Sequence, residues 1–545
     1  MTPLSQPVPP IEFDPIQLEI FRNLFSALTE EMGAALRRAA FSPNIKERRD
    51  YSCALFDRAV RPIALGDHMP VHLGAMPASV RAAIDTFGRM AAGDVIMVND
   101  PFQGGTHLPD ITVVAPVYEE GMDDPTAWVA ARAHHSDVGG MAPGSMPLAR
   151  EIVQEGLRIP PVRLMQDGER NDDVWRLVLA NVRTPDEREG DLDAQLGALY
   201  AGATRFREIL ARRGAAETRA AMSALLAYAD RLVAAAIDGI PDGTWTAADV
   251  VETDGFGSGP LEIRVRIEVS GDRMRVDFRE SVDQTTGGVN AVRAITESAT
   301  RYVLRCLAEA LLDTPLPAGG GSLGAVDLRT RPGSIVDALP PASVAAGNVE
   351  TSQRITDVLL RALQPALPDL VPALSQGTMN NLTVGGIDPR TGRSFAYYET
   401  MGGGIGAGPR RDGMTGAHSH MSNSLNTPVE ALEHAYPFRV ERYAVRRGSG
   451  GQGRHRGGDG LVRELRLLAD ARVGLLTERR IDGPAGAEGG AAGRPGRCTH
   501  VDAEGREHEL PSKTTLDLLS GDVVSIRSPG GGGWGTIGPD RERDA

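Results

Sequence analysis

At 545 residues, 41 % hydrophobic and 24 % charged, the chain has room for about 3 or 4 domain-sized units and too much apolar content for the disordered class. Its 58 Lys plus Arg against 72 Asp plus Glu leave a formal net charge of −14, which repels a phosphate backbone and excludes nucleic acid as an expected partner. Three cysteines, Cys53, Cys306 and Cys498, stand too far apart for a disulfide framework or a CxxC metal knuckle, and fit a reducing cytoplasm.

Residues 1–10 hold four prolines and no basic stretch, and no apolar run approaches the ~18 residues that span a bilayer, so neither export nor a membrane partner is expected. Asp14 and Pro15 read as N-cap and first-turn residues with Gln17 at the capping-box position, opening a helix over about 15–40. Pro43 ends it, and 50–66 reads as short strands. Further strands are predicted at 94–99, 111–119 and 127–135, and helix over 191–237 with breaks near Gly214 and Gly239. Leu261, Ile263, Val265, Ile267 and Val269 alternate with charged residues before the Ser270-Gly271-Asp272 turn, which predicts an antiparallel hairpin. Helices follow at 290–312 and 350–364, a glycine-rich loop at 449–460, and short strands to the end. The expected fold class is α+β, multi-domain, with mixed sheets and helices and a β-rich C-terminal region. Its expected divisions are 11–245, 246–445 and 446–545.

Chemistry concentrates where strands begin and end. Pairing 111–119 with 127–135 about a turn near Met122 sets Asp110 opposite His134, and a turn through Pro109 swings His107 back to the same point. Two imidazoles and a carboxylate around an open position form a site for a divalent transition ion that polarises a carbonyl or ionises water. The bland alternative makes His107 and His134 a turn and a strand histidine bonded to nearby backbone; the paired spacing favours metal. His135 points to the opposite strand face and is assigned with the substrate-lining residues. Asp137 reads first as a carboxylate orienting an imidazole, otherwise as a fourth ligand or a turn residue.

His68 and His72 are spaced by four, but Pro70 between them breaks the helical face a zincin pair needs, so His72 is expected to be structural or to line the substrate. The glycine run 402–408, with Gly403 and Gly404 at its centre, and the polar stretch carrying His418 and His420 suggest a lined cavity or a subunit contact. The tail Ser528-Pro529-Gly530-Gly531-Gly532-Gly533-Trp534-Gly535 is either a second close-approach loop or a flexible end. Lys46 and Lys513, the sole lysines, complete no Walker loop.

These segments resemble the hydantoinase B/oxoprolinase family. The likeness rests on Asp14-Pro15, Asn99-Asp100-Pro101 through His107-Leu108-Pro109-Asp110, His134 through Gly140, Gly347-Asn348-Val349-Glu350-Thr351-Ser352-Gln353-Arg354, His418 through Glu430 and Ser528 through Gly532. It implies a metal-containing subunit of an ATP-dependent cyclic-amide hydrolase. The partner is a separate hydantoinase A-type subunit that binds ATP and phosphorylates the substrate carbonyl, so a hetero-oligomer is expected. Metal ligands of the carboxylase members carry over onto His107, Asp110 and His134, with Mn, Fe or Zn as the ion. Asp137 and Glu399 are the expected proton-shuttling residues. The alternatives are the alpha subunit of an ATP-dependent ketone carboxylase of the acetone or acetophenone type, and a scaffold subunit with a structural metal.

Overall fold

The computed structural model describes residues 13–66, 69–317, 319 and 324–537; His68 of the spaced histidine pair lies outside them. The first helix, Pro15–Ala39, starts where Asp14 accepts from the Ile16 amide at 3.3 Å. Its buried stripe of Phe21, Phe25, Leu28, Met32 and Leu36 packs along the helix Pro185–Arg213. Gln17 bonds Arg213 across that contact, its oxygen 2.5 Å from Nη2.

The first sheet holds β1 (Tyr51–Asp57), β2 (Pro62–Leu65), β3 (Val95–Val98), β4 (Asp110–Val117), β5 (Ala127–His134), β6 (Val162–Gln166) and β7 (Glu169–Arg170), in the order β2-β1-β5-β4-β3-β6-β7. Its central strands are buried on both faces, which is why β1 reads as a nearly unbroken apolar run with little alternation. Cys53 and Leu55 join the core under the long helices, whereas Ala54 and Phe56 join a second layer against the helix Met76–Phe87.

The expected helical stretch 191–237 is two helices, Pro185–Arg213 and Ala215–Asp238, broken at Gly214 with φ +84°. The second of these is 24 residues long and apolar enough to cross a membrane by length and composition, against the expectation that no segment would be. It lays Ala221, Met222, Leu225, Leu226, Ala229 and Val233 into the protein core, which accounts for its apolarity.

A second sheet orders β8 (Gly243–Val251), β9 (Leu261–Ser270), β10 (Arg273–Asp277) and β11 (Val326–Arg329) as β11-β10-β9-β8. Ile263, Val265, Ile267 and Val269 of β9 point inward, and the helices Arg293–Leu312 and Ser352–Leu363 complete this region. The remaining strands are β12 (Asn381–Ile387), β13 (Ser394–Glu399), β14 (Phe438–Arg446), β15 (Gly460–Leu467), β16 (Ala471–Leu476), β17 (Arg497–Val501), β18 (Glu507–Glu509), β19 (Lys513–Leu518) and β20 (Val523–Arg527). They form two sheets, β13-β12-β16-β19 and β14-β15-β20-β17-β18. Strands from both sides of residue 445 share each of them, and β8 straddles residue 245, so sheet membership does not follow the expected divisions.

The two glycine runs pack on each other. A Cβ on Gly404 would stand 2.0 Å from the Gly458 oxygen, and one on Gly531 would stand 2.1 Å from the Ile405 oxygen. Backbones come this close only where side chains are missing. The 528–535 tail is accordingly interior, with the amides of Gly530, Gly531, Gly532 and Gly533 bonded to neighbouring carbonyls.

Candidate metal centre

The centre forms where β4 begins and β5 ends. Asp110 pairs directly with His134 in the antiparallel register, so both side chains leave the same face. His107 returns to that point because the turn closes with the Asp110 amide bonded to the His107 carbonyl at 3.2 Å. Asn99 holds the loop: its amide donates to the Leu108 and Leu157 carbonyls at 2.8 and 2.9 Å, and its oxygen accepts from the Ile159 amide at 2.6 Å.

Oδ1 of Asp110 lies 2.9 Å from Nε2 of His107 and 3.1 Å from Nδ1 of His134. One ligand atom from each of these three residues falls within 4.8 Å of the others, and all three residues are buried. The other carboxylate oxygen, Oδ2, accepts from the Thr106 hydroxyl at 3.1 Å and lies 3.3 Å from Nε2 of His72. His72 is itself held by Ser52, whose hydroxyl is 2.9 Å from Nδ1. Burial pushes the Asp110 carboxyl up, but the charge of His107, hydrogen bonds from His107 and His134, and the charge of His72 outweigh it and hold it well below the usual carboxylate range. Burial lowers His134, which favours the neutral imidazole that a metal requires.

Two further side chains complete the surroundings. Nδ2 of Asn348 lies 3.0 Å from Nε2 of His107, and the Tyr398 ring stacks on His134 with centroids 4.4 Å apart and planes 19° apart. Asn348 sits on a wide turn, Gly347–Thr351, that precedes the helix Ser352–Leu363. A Cβ on Gly347 would stand 1.8 Å from the Asn290 oxygen, so only glycine brings this turn so close. Tyr398 is fixed by its hydroxyl donating to Asn381 at 2.8 Å and by Arg48, which donates to its carbonyl at 2.8 Å and lies over its ring. Neither residue stood out in the sequence as chemistry: Asn348 was visible only inside the motif carrying the family resemblance, and Tyr398 looks like any β-strand aromatic.

The site suits a divalent ion by two tests. Two imidazoles and a carboxylate are the donor set of open transition-metal sites. The buried atoms Nδ1 of His107, Nε2 of His134 and Oδ1 of Asn348 have no partner, and buried polar groups left unsatisfied are of the sort that an ion or ligand completes.

The other expected site residues fall elsewhere. His135, on the opposite strand face, bonds Gln195 at 2.9 Å, and burial pushes it down to about 4; it is a core histidine beneath the long helix. Asp137 accepts from the Gly139 amide and from the backbone and guanidinium of Arg183 at 2.9–3.0 Å, so it anchors a loop and orients no imidazole. Glu399 pairs with Arg463 at 2.7 Å and accepts from the Tyr397 hydroxyl at 2.8 Å. Strand alternation explains this: Tyr398 faces the centre and its neighbours do not. Gly403 and Gly404 face Gln376, Pro529, Gly458 and Gly531, which makes them packing positions and no substrate cradle. His72 borders a void of ≈ 10 Å³ at the cluster, with Met69, Asp110, His134, Asn348, Tyr398 and Ser424. His418 and His420 line a separate cavity of ≈ 740 Å³, and Ser424 borders both spaces.

An α+β chain whose strand ends bring two imidazoles and one carboxylate together carries, by class, a candidate divalent-ion site. The family model described as hydantoinase B/oxoprolinase matches residues 14–537, and the chain belongs to that family. It is 33 % identical to caprolactamase subunit beta of Pseudomonas jessenii over 96 % of this chain and 91 % of that protein. It is 35 % identical to 5-oxoprolinase 1 of Arabidopsis thaliana over 96 % of this chain but only 42 % of that protein, so it spans less than half of that relative. The crystal structure of the ATP-dependent caprolactamase from Pseudomonas jessenii superposes with a TM-score of 0.87 at 30 % identity, covering 96 % of this chain and 92 % of that one. A nucleotide-free acetone carboxylase structure shares the fold with a TM-score of 0.85 at 18 % identity, over 96 % of this chain and 76 % of that chain.

Proposed function

We propose that this chain is the metal-holding subunit of an ATP-dependent cyclic-amide hydrolase, acting with a separate A-type subunit that binds ATP and phosphorylates the substrate carbonyl. The convergence of His107, Asp110 and His134 carries this reading, in a chain that matches a caprolactamase subunit along nearly its whole length. These three residues hold the ion, and their donor set admits Mn, Fe or Zn. When bound, the ion supplies Lewis-acid polarisation and a template for the reacting carbonyl.

The chain's own residues prepare that position. Thr106 and His72 fix the outer oxygen of Asp110, leaving its other oxygen turned toward the two imidazoles. Asn348 and Tyr398 hold the rings of His107 and His134 in place. Met69 and Ser424, in contact at 3.6 Å, border the inner void. His72→Gln should therefore lower metal affinity by about 10–100-fold, the usual cost of losing a group that orients a ligand; competition with a chelating dye measures it.

The test of the function is reconstitution with the ATP-binding partner. ATP hydrolysis should rise in step with lactam ring opening and be indifferent to bicarbonate. Turnover that stalls without bicarbonate, or that forms a carboxylated ketone, would replace this reading with carboxylation.

A further inference from the structure

The cavity of ≈ 740 Å³ beyond Ser424 is of the size that takes a small organic ligand, about 300–1,000 Å³. Its wall is largely apolar, with Val303, Leu307, Leu360, Val371, Ile405 and Met414 contributing. Burial pushes His418 down to about 3 and lowers His420 as well, against the opposing charge of Asp357, whose carboxylate lies 3.7 Å from Nε2 of His420; both shifts favour the neutral ring. Nε2 of each and the Ser419 hydroxyl are buried without a hydrogen-bond partner. Among the lining residues the one formal charge is Arg411, which is exposed, where water screens it. No lining residue is a carboxylate or a lysine. Arg48 lies behind the wall with its N–H groups donated to Asn44, Tyr398, Thr400 and Leu425.

The floor of this cavity, at Val303, Leu307, Leu360 and Val371, is buried and desolvates what rests on it, while Arg411, Met414, Leu425 and Tyr443 are exposed at its rim. An apolar ring gains by leaving water. A carboxylate loses its hydration and finds no buried cation to replace it. Neutral imidazole and hydroxyl groups still pair with the N–H or C=O of an amide.

We infer that this cavity seats the non-reacting body of the substrate, and that it selects uncharged, apolar cyclic amides such as unsubstituted lactams over lactams carrying a carboxylate. This rests on the cyclic-amide reading and narrows it. With its carbons against Leu307 and Met414, the ring presents its amide toward Ser424, which borders the metal cluster.

The experiment compares ε-caprolactam and δ-valerolactam with 5-oxoproline, using the metal-loaded chain together with its ATP-binding partner and measuring amino-acid product. The expected kcat/KM for the uncharged lactams exceeds that for 5-oxoproline by at least about 100-fold, because a desolvated, unpaired charge is costly. Met414→Arg, which places a cation on the exposed part of the wall without burying a charge in the core, should narrow that ratio by at least about tenfold while leaving metal content unchanged. Equal or better turnover of 5-oxoproline by the unaltered protein overturns the selectivity while leaving cyclic-amide hydrolysis standing. A wild-type preference that Met414→Arg does not alter places the selecting surface elsewhere and overturns the assignment to this cavity. ATP-dependent opening of none of the three lactams overturns the cyclic-amide reading itself, and the selectivity falls with it.

Discussion

Asp110→Asn is expected to leave a folded protein that no longer retains its divalent ion and opens the lactam ring at least about 100-fold more slowly, since even groups that merely orient a ligand cost about 10–100-fold when lost. The substitution is nearly isosteric, and it keeps an oxygen to accept from Thr106. What it removes is the negative charge that faces His107 and His134. Metal content by elemental analysis and kcat/KM with the ATP-binding partner should fall together, and the urea midpoint of the metal-free protein should fall as well, because the charge that His107, His134 and His72 favour on Asp110 is lost. His107→Ala should agree on metal content. A protein that keeps its ion after either change does not bind it at this cluster.

The trio was readable before any coordinates because sheet register follows simple arithmetic. A turn centred near Met122 sets 110 against 134, and a side-chain period of two sends His135 to the other face. The same rule, applied to β13, would have separated Tyr398 from Glu399 and turned only the tyrosine toward the centre. Nothing in Tyr397-Tyr398-Glu399 announces which face is inward, since all three residues are buried. The long helices and the β9 hairpin were legible for a related reason, since periodicity reports an element that is wet on one side. Ala215–Asp238 does not read as an unbroken apolar run because Glu217, Arg219, Asp230 and Arg231 punctuate it. The glycine runs misled because a run that clears space for a ligand and one that clears space for another backbone have the same composition. Only the partner, here Gly458 and the 528–535 segment, distinguishes them. Asn348 depends on the approach of a turn 241 residues away in sequence from His107, which no local pattern encodes.

Glu399 separates a proton-shuttling role from a structural one. Its carboxylate is 1 % exposed, as is its partner Arg463, whose guanidinium bonds it through Nε while Nη1 and Nη2 have no hydrogen-bond partner. The surrounding Tyr397, Tyr436 and Phe438 form an aromatic cluster that water does not reach. Glu399→Gln therefore strands a buried cation, and the expected cost is about 3–5 kcal/mol of stability, the range for breaking one side of a buried pair, read as a lower urea midpoint. Metal content and turnover per folded molecule should hold at wild-type values, with an unshifted pH profile. Removing both charges, as Glu399→Leu with Arg463→Met, should recover most of the lost stability, because the penalty belongs to the unpaired charge and the desolvated pair itself contributes little net. A shuttle would behave oppositely: kcat would collapse in the single variant with the midpoint unmoved, and the double variant would restore nothing.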